Sequence, residues 1–571
     1  MNTITRHILS VGVLLLALHL GASAQQSMLF EESNSPLETE YNTFSPRWET
    51  QMRDRLLSNP AIMRLEMDSL RHFFNDNPKA AIRIYRMSVE ANLSLGKMTG
   101  DYQPVHGDRF KDFTVKANGV MKTKKGMLYG KAFFTSGMHK DVNWNILRSP
   151  EAYWPYVVAD STGGNMSYET YSLICAYSFR IAKKWDMGVW GQYKGDYAWR
   201  KTDPRIKDIS SWFTLKAGAA YDLGHGYRLG FDVDYQLHLQ NSEVQLFRSG
   251  QFAGFFMEYG FGMYDYIHSP IYNSMKNQVH MHSWDGNMQF FSNPTRAFRI
   301  NATLGYGRDV MTTEENIYKL DLYRAVTNRG KVAMSALWNT PQWGVSLIGY
   351  MDLSQRKGRE NVFERYVSST VDGVDIYDYR KIGHQDRYTM TQARVDGQLK
   401  LSRYFGRTTT LSLLGGIDWY NRKEQYSETG YLIHNVLLTP QVGLEVTHFS
   451  KALECRLTVA YGKTSSPKHL YNVGVDLKRH TEYQHAFCTY AYYAYKADRV
   501  SLEAEISHVF KFARMGLRLQ WLFVRGKRLD EVSYDVERYS SQVPSARKFT
   551  ISPQPDVHNQ HWLKVALFAE F

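Results

Sequence analysis

The chain has 571 residues, of which 43% are hydrophobic, 14% aromatic and 22% charged, with 39 tyrosines and a formal net charge of +13. Its mean hydropathy is −0.44, and beyond the N-terminus no stretch is apolar enough to cross a bilayer as a helix, which excludes a helical membrane protein. In a cytosolic protein so basic a balance would suggest nucleic acid, but the export signal described next argues against that partner and turns the charge toward anionic solutes or lipid head groups.

In chain order the first element is a secretory signal peptide, residues 1–24: a polar start with Arg6, an apolar run from Ile8 to Leu20, and the small-residue site Ala22-Ser23-Ala24, with cleavage expected after Ala24. No cysteine follows that site, so lipidation there is not expected. Residues 25–79 are read as an N-terminal helical segment. Asn59-Pro60 offers an N-cap and a first-turn proline, Met63, Met67, Leu70 and Phe74 share one face, and Asn75-Asp76-Asn77-Pro78 ends it. So small a helix is no domain; it is expected at the periplasmic end of the next region or inside its lumen.

From residue 80 to 571 the sequence alternates. Tyr227, Leu229, Phe231, Val233, Tyr235, Leu237 and Leu239 point one way, and Arg228, Asp232, Asp234, Gln236 and His238 the other. Similar runs occupy Phe298–Tyr306 and Met515–Phe523, each long enough to cross a bilayer at a tilt. Long polar connections after Thr135, Arg200, Leu239, Gln355 and Phe523 take turns with short ones near Lys183, Gly224, Asn293, Pro341 and Ser450. That rhythm predicts an all-β fold, a transmembrane antiparallel β-barrel with about 18 strands in a range of roughly 16 to 20. A direct count gives about nineteen, where an even number is required, and the conflict lies between Gly462 and Met515, with His469–Leu477 as a candidate strand. The last segment, Leu563, Val565, Leu567 and Ala569 in alternation, ends on Phe571, which resembles the assembly signal read by the barrel-assembly machinery of Gram-negative bacteria.

Two segments, Trp154-Pro155-Tyr156-Val157-Val158-Ala159-Asp160-Ser161-Thr162-Gly163-Gly164 and the run from Tyr197 to Arg205, resemble signature stretches of an uncharacterised family of Gram-negative outer-membrane β-barrel proteins, a domain of unknown function. The resemblance covers most of the mature chain. It implies location and fold, and carries no catalytic residues or ligand.

Motifs for chemistry are mostly missing. Gly462-Lys463-Thr464 ends like a phosphate loop, but Leu457 stands where its first glycine belongs. No nucleophile and base can be paired, so no catalytic residue is assigned and a barrel-embedded hydrolase is the minor alternative. No cofactor is expected. His280 and His282 share one strand face without a third ligand, which reads as ordinary polar residues. Cys175, Cys455 and Cys488 are read as apolar filler on outward strand positions.

Inward positions offer Lys116, Lys122, Lys131, Lys216 and Arg228 on early strands and Glu445, Glu454, Glu503 and Glu505 on late ones. These are candidate pore-lining residues. They would set a field across the pore if the two sets occupy opposed arcs; the blander and favoured reading pairs them with neighbours, Glu454 with Arg456 and Asp232 with Arg228. The connection from Gln240 to Asn277 holds Phe252, Phe255, Phe256, Tyr259, Phe261 and Tyr264, too apolar to remain in water. It is the candidate constriction loop, expected to fold into the barrel. The sequence reads best as a channel or transport barrel for small hydrophilic solutes, partnered by outer-membrane lipid. The competitor is a non-conducting barrel that binds a partner through its loops.

Overall fold

The computed structural model describes residues 59–63 and, apart from 248–254, 267–273, 475–483, 530–556 and a few shorter stretches, residues 87–571. The cleavage site at Ala22 and Ala24 and the helix-face residues Met67, Leu70 and Phe74 lie outside the described residues.

The wall is built by β1 (Met87–Thr99), β2 (Arg109–Lys122), β3 (Gly126–Val142), β5 (Gly164–Ala182), β6 (Trp185–Trp199), β7 (Arg205–Gly224), β8 (Tyr227–Gln245), β11 (Ser274–Phe291) and β12 (Phe298–Glu315). It continues through β13 (Leu320–Asn339), β14 (Trp343–Val371), β15 (Val374–Phe405), β16 (Thr409–Tyr426), β17 (Tyr431–Phe449), β18 (Leu453–Asn472), β19 (Tyr495–Val509), β20 (Arg514–Arg528) and β21 (Val557–Glu570). Together these form one 18-stranded sheet. Each strand pairs antiparallel with the next, and β1 pairs with β21, Leu93 opposite Val565, so the sheet is a closed meander without edges. At the seam Met87 and Phe571 exchange backbone hydrogen bonds of 3.2 and 2.8 Å.

One end of the cylinder carries only short turns, such as residues 183–184, 225–226, 340–342 and 450–452; the other carries every longer connection. Two expectations about the long end are corrected. Beyond Gln355 there is no polar loop: β14 and β15 run on as a ribbon past the rim and join through Asp372-Gly373, both at positive φ (52 and 80°), the geometry of a two-residue hairpin. His469 to Asn472 is the end of β18 and not a strand of its own, and the connection that follows contains a helix.

The burial pattern is inverted relative to a soluble sheet. On β8 the inner residues Asp232 and His238 are 3% and 0% exposed, while outward Val233 is 63% exposed. Neighbouring strands continue the outer belt with Leu173 on β5 and Leu215 on β7, at 57% and 51%. Polar residues are therefore inside and apolar ones outside, because the alternation of period two sends the two sets to opposite faces of one sheet.

Short elements from three long connections fill the upper bore. The 143–163 connection contributes α1 (Pro150–Tyr153) and β4 (Tyr156–Asp160), the 246–273 connection β9 (Phe255–Tyr259) and β10 (Tyr264–Tyr266), and the connection after β18 contributes α2 (Gln484–Tyr493). The order β10-β9-β4 makes a second, three-stranded sheet. All five residues of β4 are buried, as a strand must be when it lies inside a cylinder with side chains on both its faces. Cys488 lies on α2, which corrects its reading as an outward strand position, whereas Cys175 is exposed on the outer face.

Candidate functional site

The internal plug is the place where side chains converge, and the 143–163 connection is its spine. That connection is pinned to the wall on both sides. Toward β7 and β8, the Arg148 backbone N–H donates to Asp208 at 2.9 Å, and Tyr153 meets His238 at 2.7 Å, with Trp212 stacked on the same imidazole. Toward β14 to β16, the buried guanidinium of Arg356 donates to the carbonyls of Ala152 (3.2 Å) and Trp154 (2.5 Å), collecting carbonyls that the end of α1 leaves without helical partners. The Trp154 indole donates to Tyr388 at 2.9 Å and to Glu424 at 2.8 Å, and Arg422 donates to the other oxygen of Glu424 at 2.6 Å. Burial pushes the phenols of Tyr153 and Tyr156 above their ordinary range, so both remain neutral. Burial raises the Glu151 carboxyl too, but the charge and hydrogen bond of His106 outweigh it and leave this group below the ordinary carboxylate value.

The two signature segments meet here. Asp160 closes β4 and accepts from Arg200 at 2.7 Å, with both side chains 0% exposed. Its other oxygen accepts the backbone N–H groups of Thr162 (2.9 Å) and Gly163 (2.8 Å), which turns the chain back toward the wall. Gly163 is at φ +67°, and a Cβ there would lie 1.8 Å from Asn143 Oδ1, so only glycine fits. The aspartate, the glycine and the arginine are thus parts of one joint.

Of the predicted constriction loop, Gln240–Gln245 and Ser274–Asn277 belong to wall strands β8 and β11, and residues 255–266 lie inside the barrel. Phe256 and Phe261 are buried within the plug, Tyr259 and Tyr264 are partly buried there, and the backbone of Phe255 belongs to β9; Phe252 lies outside the described residues. Phe256 stacks on Trp144, whose indole also lies flat on His485 of α2, at a centroid distance of 4.3 Å and 8° between planes. His485 contacts Glu258 of β9, with both side chains buried. Phe261 meets Tyr388, Tyr426 and Tyr431 edge-on. Removing a Phe side chain from water is worth roughly 1.5–3 kcal/mol, so the rings hold the three connections together without an external partner.

Six of the charged candidates, Lys116, Lys216, Glu445, Glu454, Glu503 and Glu505, take inner-face positions with a polar or charged partner. Lys216 reaches Asp234 at 3.3 Å, and Glu445 reaches Lys400 at 3.0 Å. Glu503 accepts from Gln520 at 2.8 Å. Lys116 pairs with Glu90 at 3.2 Å, Glu90 with Arg518 at 2.8 Å, Arg518 with Glu505 at 2.8 Å, and Arg514 with Glu505 (2.6 Å), Glu454 (2.6 Å) and Glu570 (2.9 Å). Lys116 and Glu505, from the early and late sets, therefore join one chain of ion pairs across the β1–β21 seam, in line with the favoured reading that such charges pair. Asp232 accepts from Asn287 and Gln289. Lys131 takes an inner position on β3, whereas Lys122 and Arg228 stand near the short-turn ends of β2 and β8. His280 and His282 alternate with buried inner residues and so face outward, His282 against Tyr235 at 2.8 Å. No cluster of metal-ligating side chains occurs among the described residues.

Sequence reasoning overlooked Asp160, Arg200, Arg356, Glu424 and the Glu258–His485 contact. The available signal was the run Tyr156–Asp160, whose apolar residues Val157, Val158 and Ala159 follow one another without alternation, as in a strand buried on both faces.

Solved structures similar to this chain include BauA, the ferric preacinetobactin receptor from Acinetobacter baumannii, 9% identical with a TM-score of 0.38 over 86% of this chain and 80% of that one. The copper transporter OprC is 8% identical with a TM-score of 0.37 over 85% and 81% of the two chains. The FrpB iron transporter from Neisseria meningitidis is 8% identical with a TM-score of 0.37 over 86% and 82%. No curated protein matches the sequence. A family profile matches residues 85–565, from just ahead of β1 into β21, and the chain accordingly belongs to the Family of unknown function (DUF6850).

Proposed function

We propose that this protein is an outer-membrane barrel of a Gram-negative cell that passes a small hydrophilic solute through a lumen held shut by its own loops. The observation that carries this reading is the inverted wall, polar within and apolar without, with the bore stopped by side chains of the same chain. Contiguous apolar surface on this scale has no stable place in water. Aromatic rings band the outer face as they do at bilayer interfaces: Trp185, Phe298, Trp338, Trp343, Phe405 and Phe510 near the short turns, and Tyr193, Trp284, Tyr306 and Tyr461 farther up. The interval from Trp185 to Tyr193, or from Phe298 to Tyr306, is eight residues. That is about 26 Å of strand, or about 20 Å of height at a tilt of ~40°, close to the apolar band of such barrels. The apolar run Ile8–Leu20 ahead of Ala22-Ser23-Ala24 supports export, and the alternation of Leu563, Val565, Leu567 and Ala569 on β21 supports insertion as a barrel.

The plug supports a closed resting state, since Phe256, Phe261 and Trp144 occupy space that an open channel would leave to water. Planar-bilayer recording tests this directly. The full chain should give little current, and deletion of residues 246–268 should give stepwise conductance. A second reading, a non-conducting barrel that binds a partner, is favoured by the β14–β15 ribbon, whose tip exposes Tyr366, Val371, Val374 and Ile376. A folded barrel that stays silent before and after the deletion would establish that reading instead.

A further inference from the structure

At the opposite end of the bore the inner wall carries a small, specific socket. Gly188 of β6 lies directly opposite Gly218 of β7, and Gly230 of β8 lies opposite Ala220 of β7, so three luminal glycines on neighbouring strands form one hollow. The hollow is filled by residues 59–62, which precede the barrel in sequence and are all buried. A Cβ on Gly188 would come within 2.3 Å of the Pro60 carbonyl carbon, one on Gly218 within 2.1 Å of Asn59 Oδ1, and one on Gly230 within 3.0 Å of Asn59 Nδ2. The first contact is with backbone, so no side-chain rotation could relieve it.

The docked residues are also held by matched hydrogen bonds. The Asn59 amide donates to the carbonyls of Ala219 (3.3 Å) and Phe231 (3.2 Å) and to Gln289 Oε1 (2.8 Å), while its own oxygen accepts from the Ala61 N–H at 2.9 Å, as an N-cap does. Ser178 of β5 donates to the Ala61 carbonyl at 3.0 Å. Ala61 and Ile62 pack on Ala220 and Phe291. Shape, hydrogen bonding and apolar contact all select this tetrapeptide, in the manner of a bound ligand.

We propose that Asn59–Ile62 is a latch: docked in the glycine socket, these four residues narrow the short-turn end of the bore, and their release widens that end. The gating half of this rests on the transport reading above; the docking half does not. The plug and the latch then act in series from opposite ends, and both must yield before solute passes. β1 begins at Met87, five strands round the wall from β7, or about 24 Å of arc at ~4.8 Å per strand. The docked residues therefore sit about a quarter of the way round the wall from the strand where the chain enters it.

The test uses the full chain in three variants. G188A drives residues 59–62 out by collision with the Pro60 backbone, N59A removes the amide that grips the wall, and G286A is the control, since a Cβ at Gly286 would meet nothing within 4 Å. Docking is read by trypsin cleavage at Arg64, next to the docked residues. Cleavage should be about tenfold faster or more in G188A and N59A, as the loss of one or two buried hydrogen bonds implies, and unchanged in G286A. Unchanged cleavage in both G188A and N59A, with heat-modifiable mobility intact, overturns the socket. Gating is read as bilayer current in the background lacking residues 246–268, where G188A should raise current several-fold. Faster cleavage with unaltered current from a conducting barrel overturns the gate. If the loop deletion itself conducts nothing, the transport reading fails, and the gate with it, while the docking result stands or falls on cleavage alone.

Discussion

Replacing Arg200 with methionine should loosen the plug far more than the barrel. The Asp160–Arg200 pair is fully buried at 2.7 Å, and in R200M the aspartate keeps its two backbone donors, Thr162 and Gly163, but loses its counter-charge. Removing one partner of a buried ion pair typically costs about 3–5 kcal/mol, because the remaining charge stays in a site of low polarity. At 1.4 kcal/mol per tenfold, the population in which β4 leaves its place should rise by a factor of about 100 to 4,000. Hydrogen exchange of the Tyr156–Asp160 amides in detergent-solubilised protein reads that population, with the amides of β12 as an internal reference for the intact wall. The double variant D160N/R200M should regain most of the protection, because no bare charge remains. If R200M alone shifts β4 exchange by less than about fivefold, roughly 1 kcal/mol, the pair does not hold the plug and the explanation of the two signature segments fails.

Two further outcomes follow from the wall. E90Q breaks the ion-pair chain at its middle, where Glu90 bridges Lys116 and Arg518 across the seam. It should lower the heat-modifiable transition of the barrel by an amount matching about 1.5–3 kcal/mol, the usual worth of hydrogen bonds to charged groups, whereas K122M, at the exposed end of β2, should leave it unmoved. An equal shift in both variants would refute the seam network. L215R places a charge at an outward, half-exposed position on β7. In bilayer vesicles it should cost about 2–4 kcal/mol of folding free energy, the value for a basic side chain deep in the apolar band, while a substitution of exposed leucine in a water-soluble sheet would be close to neutral.

The wall was legible because period-two alternation survives whatever a strand pairs with. Tyr227–Leu239 declares both of its faces, and the short connections near Lys183, Gly224, Pro341 and Ser450 recur as turns at a single end. The strand number was legible only to within a few, since the stretch from His469 onward offers the same residue types whether it prolongs β18 or leads into a helix. The ribbon of β14 and β15 was missed for a related reason. Above the rim neither face is buried, so polar residues such as Glu364, Arg365, Asp378 and Arg380 erase the alternation while cross-strand pairing preserves the strands.

The plug was less legible, because its order comes from contacts between residues far apart in sequence. Arg356 lies on β14 and serves carbonyls of α1; Glu258 and His485 come from separate connections; Asn59 is read by Gln289. No local spacing marks such pairs. What the sequence did show was the chemical pressure behind them: Phe256, Phe261 and Tyr264 sit in a connection that water alone would not tolerate, and a closed barrel offers such a segment a large enclosed surface to pack on. The same reasoning distinguishes the two kinds of inner-face residue. Charges along the strands, such as Lys216 with Asp234, are engaged with one another within the wall. On the transport reading proposed above, selection rests with the loops above and residues 59–62 below, and not with the charges that the alternation first brings to notice.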